Sequence, residues 1–272
     1  MQTQKVIDQI RQEKTVTADD GQIYPIRLFP IDATEGRFLT QFIASRPGIT
    51  RTLEVGCAYG LASLHITAAL EGRAGAHHVI IDPFQSTTWH GIGVANLDRA
   101  GVDFYELLEQ PSELALPELL RDGVRFDLVF IDGLHSFDQT LLDLYYANRL
   151  IGPGGYIVID DATWPSVSKA VSHVAGYPCY KMVGGTSAPV TRVANLIGKL
   201  LKPLAELIFP HWLYDHFYRT MRYPSNEARG SNRGGNTRSA AMSRASPASG
   251  SGSASILTIR TVRLSGLPLS KA

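Results

Sequence analysis

LEVGCAYGLASLHITAAL, residues 53–70, opens as a short apolar run, meets Glu54, passes through small residues between Gly56 and Gly60, and becomes amphipathic. That order reads as strand, tight turn and helix. Glycine has no Cβ, so the backbone at Gly56 and Gly60 can bend sharply and let a ligand lie against it. The first amides of the following helix would point at polar ligand atoms. A nucleotide-like cofactor suits such a turn, although glycine-containing turns of this kind also occur in α/β domains without a ligand.

Outward from this stretch the chain alternates strands and helices. Asp32 with Glu35 three residues on is a capping-box start for a helix whose Phe38, Leu39, Phe42 and Ile43 share one face. HHVII (77–81) is a second buried strand and ends on Asp82, placed to accept hydrogen bonds from ribose hydroxyls or to cap the next element. The loop PFQSTTWHGIG around Trp89 is long enough to form part of a pocket wall. A helix over 94–100, a strand over 103–107 and a turn at Ser112-Glu113 follow. FDLVFID (126–132) ends on Asp132, with His135 three residues on; a helix over 137–150 stops at Gly152-Pro153-Gly154-Gly155; a strand from Tyr156 ends on Asp160-Asp161. A helix over 164–174 and a strand over 177–183 complete the series. The alternation predicts an α/β fold, a doubly wound and mainly parallel sheet covered on both faces. Its ligand would sit at the carboxyl ends of the strands, where Glu54, Asp82, Asp132, Asp160 and Asp161 all fall.

Composition sets the outer bounds. With 272 residues, 44% of them hydrophobic, the chain can bury a sizeable core. No apolar run approaches the roughly 18 residues of a membrane span, and the polar start MQTQKVIDQIRQEKT does not read as a secretory signal, so the expected location is cytoplasmic. Cys57 and Cys179 make neither a disulfide framework nor a zinc pattern and read as packed thiols. The net charge of +1 hides an asymmetry: residues 221–272 carry eight bases and one acid, leaving 18 bases and 24 acids in residues 1–220. An acidic body argues against nucleic acid as the main substrate, because Lys and Arg supply most of that affinity.

EVGCAYG, the acid at Asp82, FDLVFIDGLH and the GPGGYIVIDDA run together resemble the class I S-adenosylmethionine-dependent methyltransferases, in the catechol O-methyltransferase-like branch of small-molecule and sugar O-methyltransferases. The resemblance covers roughly residues 30–183. It implies a Rossmann-like sheet of seven strands, with Glu54, Gly56 and Gly60 in the cofactor-binding turn, Asp82 on the ribose, and Glu35 with Gly36 in a segment flanking the cofactor. Asp132 also counts among the cofactor-site residues. Asp132, Asp160 and Asp161 fall where metal-dependent members place three magnesium ligands, and His135 falls at the general base. The third ligand is often Asn where this chain has Asp161, and the base is often Lys where it has His135. The residue types suit the chemistry: magnesium takes hard oxygen ligands, and histidine changes protonation near neutral pH.

The family's sheet closes with an antiparallel sixth and seventh strand joined by a short turn. Here the only late strand candidate is ILTIRTVRL (256–264), so a long insertion is expected between the last two strands. The expected organisation is an N-terminal helix and arm (1–30), a methyltransferase core (31–183), a helical insertion (184–223), a disordered linker (224–254), and a final strand with the C-terminus (255–272). The apolar spacing in 190–223 suits packing on the body or in a homodimer better than contact with a membrane face.

The reading is therefore transfer of a methyl group from S-adenosylmethionine to a hydroxyl of a small-molecule or glycosylated acceptor, assisted by magnesium, with His135 as base. The alternatives are metal-independent transfer through His135 and a catalytically inactive nucleoside-binding interaction protein. A nicotinamide oxidoreductase fits less well, because EVGCAYG lacks the GxGxxG spacing.

Overall fold

The computed structural model describes residues 2–26, 31–177, 179–186 and 257–261. The elements follow in the order α1 (Gln2–Glu13), β1 (Thr15–Thr17), β2 (Ile23–Pro25), α2 (Ala33–Ala44), β3 (Arg51–Val55), α3 (Leu61–Leu70), β4 (His77–Ile81), α4 (Ile92–Arg99) and β5 (Tyr105–Leu108). The chain continues through α5 (Ser112–Arg121), β6 (Phe126–Ile131), α6 (Phe137–Leu150), β7 (Ile151–Ile159), α7 (Pro165–Val174), β8 (Tyr180–Gly185) and β9 (Leu257–Thr261).

Seven strands form one sheet in the order β5-β4-β3-β6-β7-β9-β8. The first five run parallel, and β9 lies antiparallel between β7 and β8. The last two strands in sequence are thus neighbours in space although β8 ends at Gly185 and β9 begins at Leu257. The expected helical insertion and linker fall largely within 187–256, outside the described residues.

The chain steps from β3 outward to β5, then returns to lay β6 on the other side of β3. That reversal is the topological switch point of a doubly wound sheet, and the carboxyl ends of β3 and β6 flank the crevice it opens. Both faces of the sheet are covered, which suits strands whose buried positions are largely apolar, such as Leu53, Val55, Val79, Ile80, Ile81 and Val129. One core places Leu61, Leu64, Leu39, Ile43 and Ile7, from α1 to α3, against Ile80, Leu128 and Phe130. The other places Ala115, Leu144, Ala147, Val167 and Ala170, from α5 to α7, against Leu53, Val129 and Ile157.

Three local details differ from the sequence reading. The alternating segment after Gly21 forms a hairpin rather than a lone arm, with Val16 facing Tyr24 across β1 and β2. Ser112 begins a helix, α5, where only a turn was expected; Pro117 lies inside it, and Ala115 and Leu116 bury its apolar face. Strand β7 starts at Ile151 and runs through the glycine-rich segment, which it accommodates by a register shift between the Phe126 and Leu128 pairings. The start of α2 is as read: Asp32 accepts from the amides of Thr34 and Glu35, and Glu35 Oε2 accepts from the Asp32 amide, a complete capping box.

Candidate active site

Beyond β3 the turn is held by close approach of backbone to backbone. Gly56 has φ +88°, and a Cβ there would stand 2.0 Å from the Asp132 carbonyl oxygen. Gly60 has φ +77°, and a Cβ there would lie 2.7 Å from the Gly93 carbonyl oxygen. These glycines let the turn pass against the end of β6 and the start of α4, a demand of the fold in addition to any ligand. Gly60 is also the N-cap of α3 and makes no side-chain capping hydrogen bond. The N-cap residue thus leaves the first amides of α3 free to face an anion or polar ligand.

The first two strand-end acids are built into the frame. Glu54 is fully buried; its Oε2 accepts from Ser63 Oγ at 2.6 Å and lies 2.9 Å from His78 Nε2. His78 Nδ1 in turn lies 2.8 Å from Thr52 Oγ1. Asp82, 3% exposed, accepts the Cys57 and Ala58 amides on Oδ2 at 3.0 and 2.9 Å and the Phe84 amide on Oδ1 at 2.9 Å, with Gln85 Nε2 at 3.2 Å. Its Oδ2 braces the glycine turn, a role the sequence did not suggest, while the Phe84 amide on Oδ1 is a contact to the next element.

The later acids meet one another instead. Asp132 follows β6, Asp160 and Asp161 follow β7, and His135 lies in the loop after Asp132. His135 Nε2 sits 3.5 Å from Asp132 Oδ1 and 3.5 Å from Asp161 Oδ2, buried and without a hydrogen-bond partner. Burial, then Glu54 and Asp161, push the Asp132 carboxyl well above the usual carboxylate range, with a hydrogen bond from Asp160 working against them. Burial and the charges of Asp132, Glu35 and Asp161 push Asp160 up in the same way. Asp161 is raised by burial and drawn back down by His135, and it holds φ +48°, strained for a residue with a side chain.

Glu35 joins this group from α2. It is 1% exposed and its Oε1 has no partner; burial lifts its pKa to about 7, with Asp32 and Asp161 adding to the rise and the Asp32 backbone hydrogen bond opposing it. Its neighbour Gly36 is needed at a helix crossing, since a Cβ there would stand 2.2 Å from His65 Nε2. The structure thus brings Glu35, Asp132, His135, Asp160 and Asp161 together, while Glu54, Gly56, Gly60 and Asp82 form the cradle beside them. Among the described residues, no group of three or more His, Cys, Asp or Glu side chains is arranged to hold a metal ion.

Several participants escape a linear reading. Ser63 and His78, which hold Glu54, lie 9 and 24 residues away from it. Asp143 on α6 is buried, accepts from Ser112 Oγ at 2.6 Å, and is raised to about 7 by burial. Trp164 lays its ring 5.2 Å from that of His135. For Asp143 an available signal was its polarity within the buried face of Thr140, Leu144 and Ala147.

Residues 53–162 match the family model for a methyltransferase domain. No curated protein sequence matches the chain. Among solved structures, an O-methyltransferase from Bacillus cereus, in complex with S-adenosylhomocysteine, is 18% identical with a TM-score of 0.53, covering 69% of this chain and 84% of its own. The O-methyltransferase TomG from Streptomyces achromogenes, in complex with S-adenosylmethionine and involved in tomaymycin synthesis, is 20% identical with a TM-score of 0.53, covering 69% and 83%. The Podospora anserina methyltransferase PaMTH1, bound to S-adenosylhomocysteine, is 17% identical with a TM-score of 0.51, covering 67% and 82%. At these identities the likeness is one of fold.

Proposed function

We propose, from the match of residues 53–162 to the methyltransferase-domain model, that the chain transfers a methyl group from S-adenosylmethionine to a hydroxyl oxygen of a small molecule, with His135 as general base. The observation that carries this is the position of His135 Nε2: buried, without a hydrogen-bond partner, and in ion-pair range, 3.5 Å, of both Asp132 and Asp161 at the strand ends. An imidazole so flanked is oriented by two carboxylates. The cofactor, when bound, supplies an electrophilic methyl on a sulfonium. The glycine turn and the uncapped start of α3 would hold its amino-acid end, with Glu35, Glu54, Asp82 and Asp132 around it. His135 takes the proton from the acceptor hydroxyl as the new oxygen–carbon bond forms and the carbon–sulfur bond breaks, and S-adenosylhomocysteine leaves.

Magnesium assistance is the finer part of the proposal. The donor chemistry fits: Asp132, Asp160 and Asp161 are hard oxygen ligands, and Asp160 Oδ1 is buried without a partner. These three would hold the ion, which would supply Lewis-acid polarisation of the acceptor oxygen. A metal-independent reaction through His135 is the second reading, favoured by the absence of a converged ligand set among the described residues. A cytoplasmic location is proposed on the two free thiols, Cys57 and Cys179.

Calorimetric titration of the full chain with S-adenosylmethionine, with and without magnesium, tests these readings. Binding is expected; its absence removes the methyltransferase proposal. Turnover that persists in chelator selects the metal-independent reading.

A further inference from the structure

Behind the glycine turn a column of polar side chains interrupts an apolar core. Thr52, Glu54, Ser63 and His78 are all fully buried, on the face of the sheet where Ile80, Leu128 and Phe130 meet α3. Strand register builds the column. Thr52 stands beside His78 and Leu128, and Glu54 beside Ile80 and Phe130, because residues two apart on a strand share a face. Replacing a buried polar or ionic pair by well-packed apolar side chains is often neutral or stabilising. Stability therefore does not account for the choice of Thr52, Glu54 and His78 at three buried places.

The donors in the column run one way. A carboxylate oxygen only accepts, so the His78 Nε2 that lies 2.9 Å from Glu54 Oε2 carries the hydrogen. Nδ1 of the neutral ring is then an acceptor, and it takes the Thr52 hydroxyl at 2.8 Å. Ser63 Oγ donates to the same Glu54 oxygen at 2.6 Å. Two donors thus converge on Oε2, while Oε1, equally buried, has none. A buried carboxylate oxygen without a donor is unfavourable unless a ligand supplies one. The place of Ser63 says which ligand atom that is. It is the third residue of α3, so its hydroxyl fixes the carboxylate beside the helix start whose first amides Gly60 leaves free. Amides suited to an anion and an oxygen suited to a cation lie together, which matches the paired charges of an α-amino acid.

We propose that His78 is a positioning residue for the cofactor: its Nε2–H fixes Glu54 Oε2 and so turns Oε1 to the ammonium at the amino-acid end of S-adenosylmethionine, with Thr52 selecting the tautomer that can donate. This rests on the methyltransferase reading, in which Glu54 already belongs to the cofactor turn, and adds the column behind it. His78 touches no ligand itself. Without its Nε2–H the carboxyl is held by Ser63 alone and is free to rotate.

The test is calorimetric titration of the full chain with S-adenosylhomocysteine and with methylthioadenosine, which keeps the nucleoside and thioether and lacks the amino-acid end. The parent should bind the first at least about 10-fold more tightly than the second. Failure to bind either removes the methyltransferase reading, whereas equal binding of the two overturns the positioning role alone. His78→Leu should weaken S-adenosylhomocysteine about 10-fold and change methylthioadenosine by less than about threefold. His78→Gln, which can return an N–H to Oε2, should restore most of the loss. Thr52→Val, nearly isosteric, should weaken S-adenosylhomocysteine selectively as well, and it decides the matter if His78→Leu does not fold. The proposal is overturned if His78→Leu binds S-adenosylhomocysteine like the parent, if it weakens both ligands alike, or if His78→Gln is no better than His78→Leu.

Discussion

Gly56→Ala isolates the contact on which the site's geometry depends. Two costs add. At φ +88° a side chain enters the left-handed region, which costs about 1–2 kcal/mol for an L-residue. The new methyl would also stand 2.0 Å from the Asp132 carbonyl oxygen and 2.7 Å from its carbon. Neither is the end of a flexible side chain, so the backbone must move, at roughly 1–3 kcal/mol by analogy with overpacked cores. The total is roughly 2–5 kcal/mol, or about 5–15 °C in Tm. Gly72→Ala supplies the control. Gly72 has φ +77° with nothing within 4 Å of its Cβ position, so it bears the strain without the collision. Urea unfolding of the three proteins at one pH should place Gly56→Ala below Gly72→Ala by roughly 1–3 kcal/mol. Methyl transfer should fall in Gly56→Ala alone, because the backbone that moves is that of Asp132. Equal destabilisation of the two variants would refute the close approach of turn and strand.

Other outcomes follow from the same contacts. His135→Asn should reduce methyl transfer by about 10²- to 10⁴-fold while calorimetric cofactor affinity stays within about threefold; an active variant removes His135 as the base. Asp143 has its pKa raised from 3.8 to about 7, so the folded state holds its proton more tightly than the unfolded chain. Its contribution is fully present below pH 3.8 and is lost as pH rises to about 7, by on the order of 2–4 kcal/mol. Asp143→Asn should therefore gain stability over the parent between pH 4 and 7, and a pH-independent difference contradicts this. His65, lowered to about 4 by burial and then by Arg11 and Arg37, slopes oppositely, gaining stability from pH 4 to 6.5 in both proteins, so it cancels in the difference. Gly36→Ala trades about 1 kcal/mol of helix propensity against a methyl 2.2 Å from His65 Nε2; a lower Tm is expected, and a higher one would mean that the His65 ring gives way.

The fold was legible wherever the cause is local. The capping box at Asp32 and Glu35, the strand–turn–helix at 53–70, and the acids closing each strand are set by neighbours in sequence. Helix α5 was not, because Pro117 interrupts the pattern while Ala115 and Leu116 find their partners across the second core. The site divides the same way. Asp132, His135, Asp160 and Asp161 could be named from their places at the ends of β6 and β7. That Glu54 pairs with His78, or that Asp143 takes the Ser112 hydroxyl 31 residues away, depends on strand order and helix packing, which spacing alone does not encode.

The strand-end acids looked equivalent in the sequence, and the switch point between β3 and β6 separates them. On the β3–β4 side, Asp82 gives both oxygens to chain donors and Glu54 gives Oε2 to Ser63 and His78, while Glu54 Oε1 is buried without a hydrogen-bond partner. On the β6–β7 side, Asp132, Asp160 and Asp161 face like charges, and Asp160 Oδ1 has no partner. Neutralising an acid should therefore have opposite effects across the crevice. Asp82→Ala leaves the buried Cys57 amide and the part-buried Ala58 amide without their acceptor, the first costing about 1–3 kcal/mol, and should loosen the turn and weaken cofactor binding together. Asp160→Asn removes a charge pressed against three others and should leave the fold at pH 8 as stable as the parent or more so, by about 1 kcal/mol, while methyl transfer falls. Stability held in reserve against function is what such a pair would reveal, and urea midpoints for the two variants measure it directly. If Asp160→Asn destabilises as much as Asp82→Ala, the later acids are frame as well, and the uncompensated charge beside His135 is not kept for chemistry.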